Sequence, residues 1–165
     1  MAPLLPELPE PVPIIGDLIP HPEGGAYRER FRSTEMLAHP RGRGKRSALT
    51  LIHFCLQEGE VSAWHRVESD ELWLYAGGDG VELWLWDGTG APVRRRLGAE
   101  GRESQTWQAV PADHWQAARP LGPRALLHCV VAPGFDFADF TLLRDGPQPL
   151  LEALQRLDPA AGKYL

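Results

Sequence analysis

Cysteine, positive charge and long apolar runs are all scarce in this sequence, and each scarcity excludes a class of protein. Cys55 and Cys129 are the only cysteines among 165 residues, which leaves no disulfide framework and no CxxC metal or redox motif. We expect both thiols to be reduced and buried in strands, with a single bridge between them as the alternative. No apolar run approaches the roughly 18 residues that a membrane-spanning helix needs.

The shortage of positive charge bears on the partners of the protein. Lys and Arg number 17 against 22 Asp and Glu, which gives a formal net charge of −5. This balance argues against a general binder of nucleic acid or of anionic membranes. The segment from Met1 to Pro13 has no basic stretch followed by an apolar one, so it is not predicted to be a signal peptide. Together with reduced cysteines, these features predict a cytoplasmic protein.

Glycine and proline, by contrast, are abundant: 17 and 16, or 33 of 165 residues. Such a density of helix breakers disfavours long helices and is typical of short strands joined by turns. Only Pro149 to Leu157 has leucines at helical spacing. Apolar or alternating segments typical of strands are found at 27–33, 49–56, 61–67, 71–76, 81–86, 93–97, 103–110, 114–118 and 125–132. The sequence therefore predicts an all-β sandwich or barrel with one short C-terminal helix.

A basic segment interrupts this series of predicted strands. Ala38 to Arg46 contains five basic residues, a proline and two glycines. We predict a solvated hairpin tip here, with contact to a phosphate as the alternative.

The richest concentration of chemically useful side chains lies in two consecutive predicted strands. His65 is on the first, and Glu71, Trp73 and Tyr75 share one face of the second. If residues 68–70 form the turn between them, His65 lies across from Glu71 or Trp73 on one concave wall. An imidazole beside a carboxylate and aromatic rings is typical of a small-molecule site with acid–base chemistry. From these residues alone, a structural histidine–glutamate pair remains the alternative.

A second candidate lies near the N-terminus, in His21 to Gly25 and the strand that follows. Its two adjacent glycines allow the backbone to approach a ligand or another chain segment closely. Tyr27, Arg28 and Glu29 then bring aromatic, cationic and acidic groups together, and Arg28 can hold a phosphate or carboxylate in bidentate fashion. The alternative is a tight turn followed by an edge strand with a surface Arg–Glu pair.

Four strings in these regions resemble the signatures of one cupin branch, cupin family five, which is related to the dTDP-sugar epimerase-like jelly rolls. They are His-Pro-Glu-Gly-Gly-Ala-Tyr-Arg-Glu (21–29), Trp-His-Arg-Val with Ser-Asp-Glu-Leu-Trp (64–67 and 69–73), Val-Pro-Ala with Trp-Gln-Ala-Ala (110–112 and 115–118), and Val-Ala-Pro-Gly-Phe (131–135). The resemblance implies a cupin double-stranded β-helix, a jelly-roll barrel. It predicts one domain over 1–165, with a Pro-rich segment at 1–17, the jelly roll at 18–143, and the C-terminal helix and tail at 147–165.

The usual cupin metal site takes two His and a Glu from the first motif and a third His from the second. Here His65 and Glu71 remain, but Val67 and Gln116 stand at the other two positions. His65, Glu71 and Gln116 make a poor set for Zn²⁺ or Fe²⁺. We therefore expect no cofactor; a divalent metal held by those three residues and water is the alternative. Another histidine, at 53, 114 or 128, is not expected to complete the set.

The resemblance to the epimerase-like cupins implies a metal-independent isomerase or epimerase acting on a nucleotide-linked sugar or a related metabolite. His65 would be the general base, Glu71 would orient it, and Tyr75 or Tyr27 would be the acid. Arg28 would hold the anionic part of the substrate. The full set of expected ligand-binding residues is Glu23, Gly24, Tyr27, Arg28, Ser62, Trp64, Trp73, Trp115 and Gln116. The alternatives are a non-catalytic module that binds a nucleotide-like or sugar-like metabolite, and a metal-dependent oxygenase or hydrolase.

The resemblance also predicts a homodimer, because related cupins commonly pair their sheets. Trp84 and Trp86 share a face with Glu82. We interpret this face as partly exposed and covered by a second copy.

Overall fold

The computed structural model describes residues 16–101 and 103–165, which form two facing β-sheets, a small hairpin and a C-terminal helical segment. The strands are β1 (Ile19–Pro20), β2 (Ala26–Arg32), β3 (Met36–Ala38), β4 (Lys45–Ser47), β5 (Thr50–Gln57), β6 (Ser62–Val67), β7 (Asp70–Gly78), β8 (Val81–Trp86), β9 (Val93–Leu97), β10 (Trp107–Val110), β11 (Trp115–Pro120), β12 (Arg124–Ala132) and β13 (Phe140–Leu142). The helix α1 spans Gln148–Leu157, and short 3-10 turns lie at Phe137–Asp139, Leu143–Asp145 and Ala161–Tyr164. None of the described helices is both long and apolar enough to cross a membrane.

The strands alternate between the two sheets in the manner of a jelly roll. One sheet has the order β1-β2-β5-β12-β7-β10 and the other β13-β6-β11-β8-β9, while β3 pairs with β4 alone. Neighbouring strands within these sheets are antiparallel, so no helical crossovers are needed. The predicted all-β class is confirmed. The strand predicted over 103–110 begins only at Trp107, because Gln105 makes just an isolated bridge to Leu97.

The main core lies between the two sheets and is built from side chains at alternate strand positions. Phe54 and Leu56 of β5 and Leu127 of β12 meet Leu83 of β8 across the interior, and all four are almost completely buried. Removing this apolar surface from water is the main stabilising contribution. The two cysteines are free and buried on β5 and β12, as the sequence predicts.

A second core covers the outer face of the five-stranded sheet. Trp64, Trp84, Trp86 and Trp115 lie there beneath α1 and the turn Ala161–Tyr164. The prediction that Trp84 and Trp86 form a partly exposed, dimer-covered face is wrong, because their exposures are only 5% and 1%. The chain's own C-terminal segment occupies the position that we assigned to a second copy.

Leu154 is the residue through which α1 enters this second core, and its side chain is fully buried. We expect Leu154→Ala to lower the free energy of unfolding by about 2–5 kcal/mol, since it removes apolar contacts and leaves a cavity among the tryptophans. Chemical denaturation followed by tryptophan fluorescence measures this loss. Leu157→Ala is the matched control: it shortens the same residue type in the same helix where 45% of the residue is exposed. Equal losses in the two variants would contradict the proposed anchoring role.

The basic hairpin β3–β4 has an exposed tip, as the sequence predicts, and its arginines also hold it to the body of the protein by ion pairs. Arg46 holds Asp139 in bidentate fashion, with Nε–Oδ2 and Nη2–Oδ1 distances of 2.7 and 2.8 Å. This guanidinium holds the pKa of Asp139 below its usual range. Arg43 pairs with Glu68 and Asp139. The hairpin thereby fixes the turn Phe137–Asp139. This turn begins at Phe137, a residue that lines the main cavity.

Candidate functional site

A cavity of about 310 Å³ opens between the two sheets at the end where β6 and β7 meet. Its inner end is polar and buried, and its mouth combines charged with aromatic side chains. The lining residues are His21, Glu23, Tyr27, Glu29, Arg32, Thr50, Ile52, His65, Val67, Glu71, Cys129, Val131, Phe135, Asp136 and Phe137. This volume lies at the lower end of the range of small-molecule pockets.

The loop between β1 and β2 places Glu23 in the cavity. The loop folds back on itself, with the Gly24 N–H donating to the His21 carbonyl at 3.0 Å. Gly24 has a φ of +110°, and a Cβ on it would overlap the carbonyl oxygen of Val61. Glycine is required here because only a backbone without a side chain can approach the start of β6 so closely.

The Glu23 carboxyl is buried and touches three polar side chains. The Ser62 hydroxyl donates to Oε1 at 2.8 Å. Oε2 lies 3.1 Å from His65 Nε2 and 3.4 Å from His21 Nδ1. One carboxyl group from the N-terminal loop therefore joins two imidazole rings.

The hydrogen bonds of the two rings indicate where their protons reside. His65 Nδ1 lies 2.8 Å from the Ala63 carbonyl, so this nitrogen must carry a hydrogen and Nε2 faces Glu23. Burial lowers the pKa of His65 and raises the pKa of Glu23, which favours a neutral pair in which the carboxyl donates to Nε2. His21 Nδ1 accepts the Glu23 N–H at 3.2 Å, so its hydrogen is on Nε2. Burial also lowers the pKa of His21.

A second carboxyl, Glu71, is held by a chain of hydrogen bonds that crosses between the sheets. Gln116 of β11 donates from Nε2 to Glu71 Oε2 at 2.5 Å, and its Oε1 accepts the Trp73 indole N–H at 2.7 Å. Because an indole N–H can only donate, Trp73 fixes the orientation of the Gln116 amide. Burial, with a smaller contribution from Glu23, raises the pKa of Glu71 to about 7 against the opposing influence of His65. The nearby Cys129 remains a thiol, since burial raises its pKa well above the usual range.

These side chains do not fit the metal that the usual cupin motif holds. Val67 offers no donor atom, and the Gln116 oxygen is already occupied by Trp73. The Gln116 NH₂ group points at Glu71, where a metal-binding histidine would need to present a lone pair. What remains is His65 and Glu71, which is fewer than the three or four protein ligands that Zn²⁺ or Fe²⁺ favour.

One group of three metal-type ligands does occur among the described residues, outside the cavity. Candidate ligand atoms of His39, Glu68 and Asp139 lie within 4.8 Å of one another. Arg43 and Arg46 already neutralise the two carboxylates, as described for the hairpin. We interpret the group as a structural ion-pair network, because a cation there would have to displace guanidinium groups.

The residues expected from sequence to form the site separate into three sets. Those that line the cavity are Glu23, Tyr27, His65 and Glu71. Those that hold them in place from behind are Gly24, Ser62, Trp73 and Gln116. Those that lie elsewhere are Arg28, Trp64, Tyr75 and Trp115.

The displaced members have clear alternative partners. Arg28 is on the opposite face of β2 from Tyr27 and donates from Nε to the Asp17 carbonyl at 2.7 Å. The Tyr75 hydroxyl donates to the Gly78 carbonyl at 2.8 Å. Trp64 and Trp115 belong to the second core under α1. The structure thus corrects these four placements, each of which depended on guessing which face of a strand points inward.

Sequence reasoning missed His21, Arg32 and the aromatic wall of Phe135 and Phe137 as site residues. His21 lies in the Gly-Gly string, and Phe135 ends the string at 131–135, so both were within recognised signatures. Arg32 reaches the cavity because β2 shifts register against β5 between Glu29 and Phe31, which sequence alternation does not show.

The comparisons with known proteins agree with this architecture. A hypothetical protein from Leishmania major shares 29% identity, with a TM-score of 0.79, over 90% of this chain and 92% of its own. A protein from Shewanella oneidensis also shares 29% identity, with a TM-score of 0.72, over 88% of this chain and 87% of its own. KdgF from Halomonas sp. shares the fold at 18% identity and a TM-score of 0.53, over 74% of this chain and 91% of its own. No curated protein matches the sequence.

A family model settles the classification. The model described as cupin superfamily, DUF985, matches residues 16–143, which include every cavity-lining residue. The chain belongs to this family of the cupin superfamily.

Proposed function

We propose that this protein is a metal-independent isomerase or epimerase that moves a proton at a carbon next to a carbonyl group of a sugar or related small metabolite. One observation carries the proposal: a carboxyl with a pKa near 7, Glu71, lies at the closed end of a ligand-sized cavity beside a second proton-sharing pair, Glu23 and His65. Enzymes commonly shift a glutamate pKa to this range for general base catalysis.

The arrangement of hydrogen bonds supports Glu71 as the base in preference to His65. Both ring nitrogens of His65 are engaged by the protein, one with the Ala63 carbonyl and the other with Glu23. Glu71 lines the same cavity and is about half ionised near pH 7. The role of His65 and Glu23 is then to hold one proton next to Glu71 and so help to set its pKa.

In the proposed reaction, the Glu71 carboxylate removes the proton from carbon, and the C–H electron pair moves to the carbonyl to give an enolate. The Tyr27 hydroxyl, on β2, returns a proton to carbon; of the two acids suggested by the sequence, Tyr75 or Tyr27, it is the one that lines the cavity. The described residues offer the Tyr27 hydroxyl no hydrogen-bond partner, so it is available to a ligand. Exchange of protons with water then restores both groups.

The test follows the loss of C–H signals by NMR when the protein is incubated in D₂O with free aldoses and ketoses, their phosphates and nucleotide-linked keto sugars. We expect protein-dependent replacement of hydrogen by deuterium next to the carbonyl of at least one compound. His114→Asn is the control variant, because His114 does not line the cavity, and it should exchange at the wild-type rate.

A second candidate function is a non-catalytic binding module. It is favoured because the buried polar groups Glu23, His65 and Gln116 already bond to other side chains of the protein. Binding of a compound with no deuterium incorporation and no chemical change would contradict catalysis and establish this second function instead.

A further inference from the structure

The positive and negative charges of the side chains at the mouth of the cavity neutralise each other. Arg32 is the only cation among the described lining residues other than the histidines. It is held by Glu29 in bidentate fashion, with Nε–Oε1 and Nη2–Oε2 distances of 2.9 and 2.7 Å, and it also donates to the Phe135 carbonyl. Asp136 adds a further negative charge at the same mouth. An anionic ligand would meet a guanidinium that is already neutralised and a carboxylate that repels it.

The interior offers no other positive charge to an anion. Burial disfavours the protonated forms of His21 and His65, whose pKa values are both lowered. Ionisation of Glu23 or Glu71 adds negative charge to the cavity. The cavity is therefore neutral to negative from its mouth to its closed end.

Size imposes a second restriction. The cavity of about 310 Å³ has room for a molecule the size of a monosaccharide. A nucleoside diphosphate joined to that sugar would have to extend out through the mouth, past the carboxylates of Glu29 and Asp136.

The chemistry of the walls indicates what kind of neutral molecule fits. His21, Phe135, Phe137 and Phe140 form an aromatic cluster, with ring centroids 4.9–6.3 Å apart. Such rings pack against the C–H face of a sugar ring. His21 Nε2–H has no acceptor among the described residues and can serve a ligand hydroxyl or carbonyl.

We propose that the substrate is an uncharged monosaccharide-sized compound, which offers a C–H face to the aromatic wall and, when its ring opens, a carbonyl and hydroxyl oxygen atoms to the polar inner end. The inference deepens the proposed function by naming the substrate class of the same site. It replaces the nucleotide-linked sugar that the family resemblance suggests.

Calorimetry with the wild-type protein tests this inference, because it measures binding without requiring turnover. The probes are D-glucose, D-galactose and D-fructose, the 6-phosphates of the same sugars, and dTDP-glucose. We expect at least one free sugar to bind at least tenfold more tightly than its phosphate and than dTDP-glucose. Tighter binding of a phosphate or of dTDP-glucose, or no binding of any free sugar, would overturn the proposal.

A variant that removes the carboxylate paired with Arg32 tests directly whether this ion pair neutralises the guanidinium. Glu29→Gln should free Arg32, and we expect it to raise the affinity for a sugar 6-phosphate at least fivefold over wild type. Glu58→Gln is the matched control, since it removes the same charge outside the cavity. An unchanged phosphate affinity in Glu29→Gln would contradict the role given to this ion pair.

The outcomes separate the two proposals. Binding of a free sugar without deuterium exchange supports the substrate class and contradicts proton transfer. Exchange on a dTDP-linked keto sugar alone supports proton transfer and contradicts the substrate class.

Discussion

Glu71→Gln is expected to slow deuterium exchange by at least about 100-fold, because general acid–base groups typically contribute 10²–10⁴-fold. The glutamine keeps the size of the side chain, and its oxygen can still accept the Gln116 N–H, so the fold and the sugar affinity should change little. The wild-type rate should rise with pH through about 7, since burial raises the Glu71 pKa to that value and only the carboxylate acts as a base. The residual rate of the variant should show no such rise.

The measurement is the NMR exchange rate between pH 5 and 9, together with calorimetric binding of the same compound. Circular dichroism confirms that the variant is folded. A Glu71→Gln protein that exchanges at the wild-type rate would exclude Glu71 as the base and return that role to His65.

Restoring two histidines should convert the cavity into a metal site. Val67 is two residues after His65 on the inner face of β6, and Gln116 pairs directly with His65 in the neighbouring strand β11. The double variant Val67→His and Gln116→His would place three imidazoles beside Glu71, a donor set that Zn²⁺ favours. We expect bound zinc to rise from well below one ion per chain in the wild type to about one per chain.

Elemental analysis after exposure to Zn²⁺ and removal of the free ion measures this change. The double variant Val67→Leu and Gln116→Leu is the matched control, because it changes the same two positions without adding a donor and should keep zinc substoichiometric. Stoichiometric zinc in the wild-type protein would show that our reading of the donor set is wrong.

The fold could be predicted from the sequence more completely than the site, for a physical reason. Glycine and proline spacing determines where strands end, and strings such as the one around Trp64 and His65 are contiguous, so both can be read along the chain. The short helix was also predictable, since its leucines repeat at helical spacing. What that helix covers was not, because Trp84 and Trp86 show the same alternation whether a second copy or the chain's own end lies over them.

The site depended on contacts between distant parts of the chain. Pairing of His65 with Glu23 needs a loop more than 40 residues away to fold against the start of β6, and only the Gly24 geometry explains how it does so. Arg28 is excluded because it lies on the opposite face of β2 from Tyr27, and Arg32 is included because of one register shift after Glu29. A shift of this kind reverses which face of the strand is inside, and no pattern of residue types records it.

The cavity also draws its walls from segments that are far apart in sequence, from His21 and Glu23 to Phe135 and Phe137. A polypeptide emerging from the ribosome cannot close this pocket until Phe137 has been synthesised. Pairings of such large sequence separation form slowly, because the intervening chain must lose its conformational freedom first. Ligand binding would therefore report a late stage of folding, and a small molecule that stabilises the closed pocket would act on newly made chains only after these two segments had met.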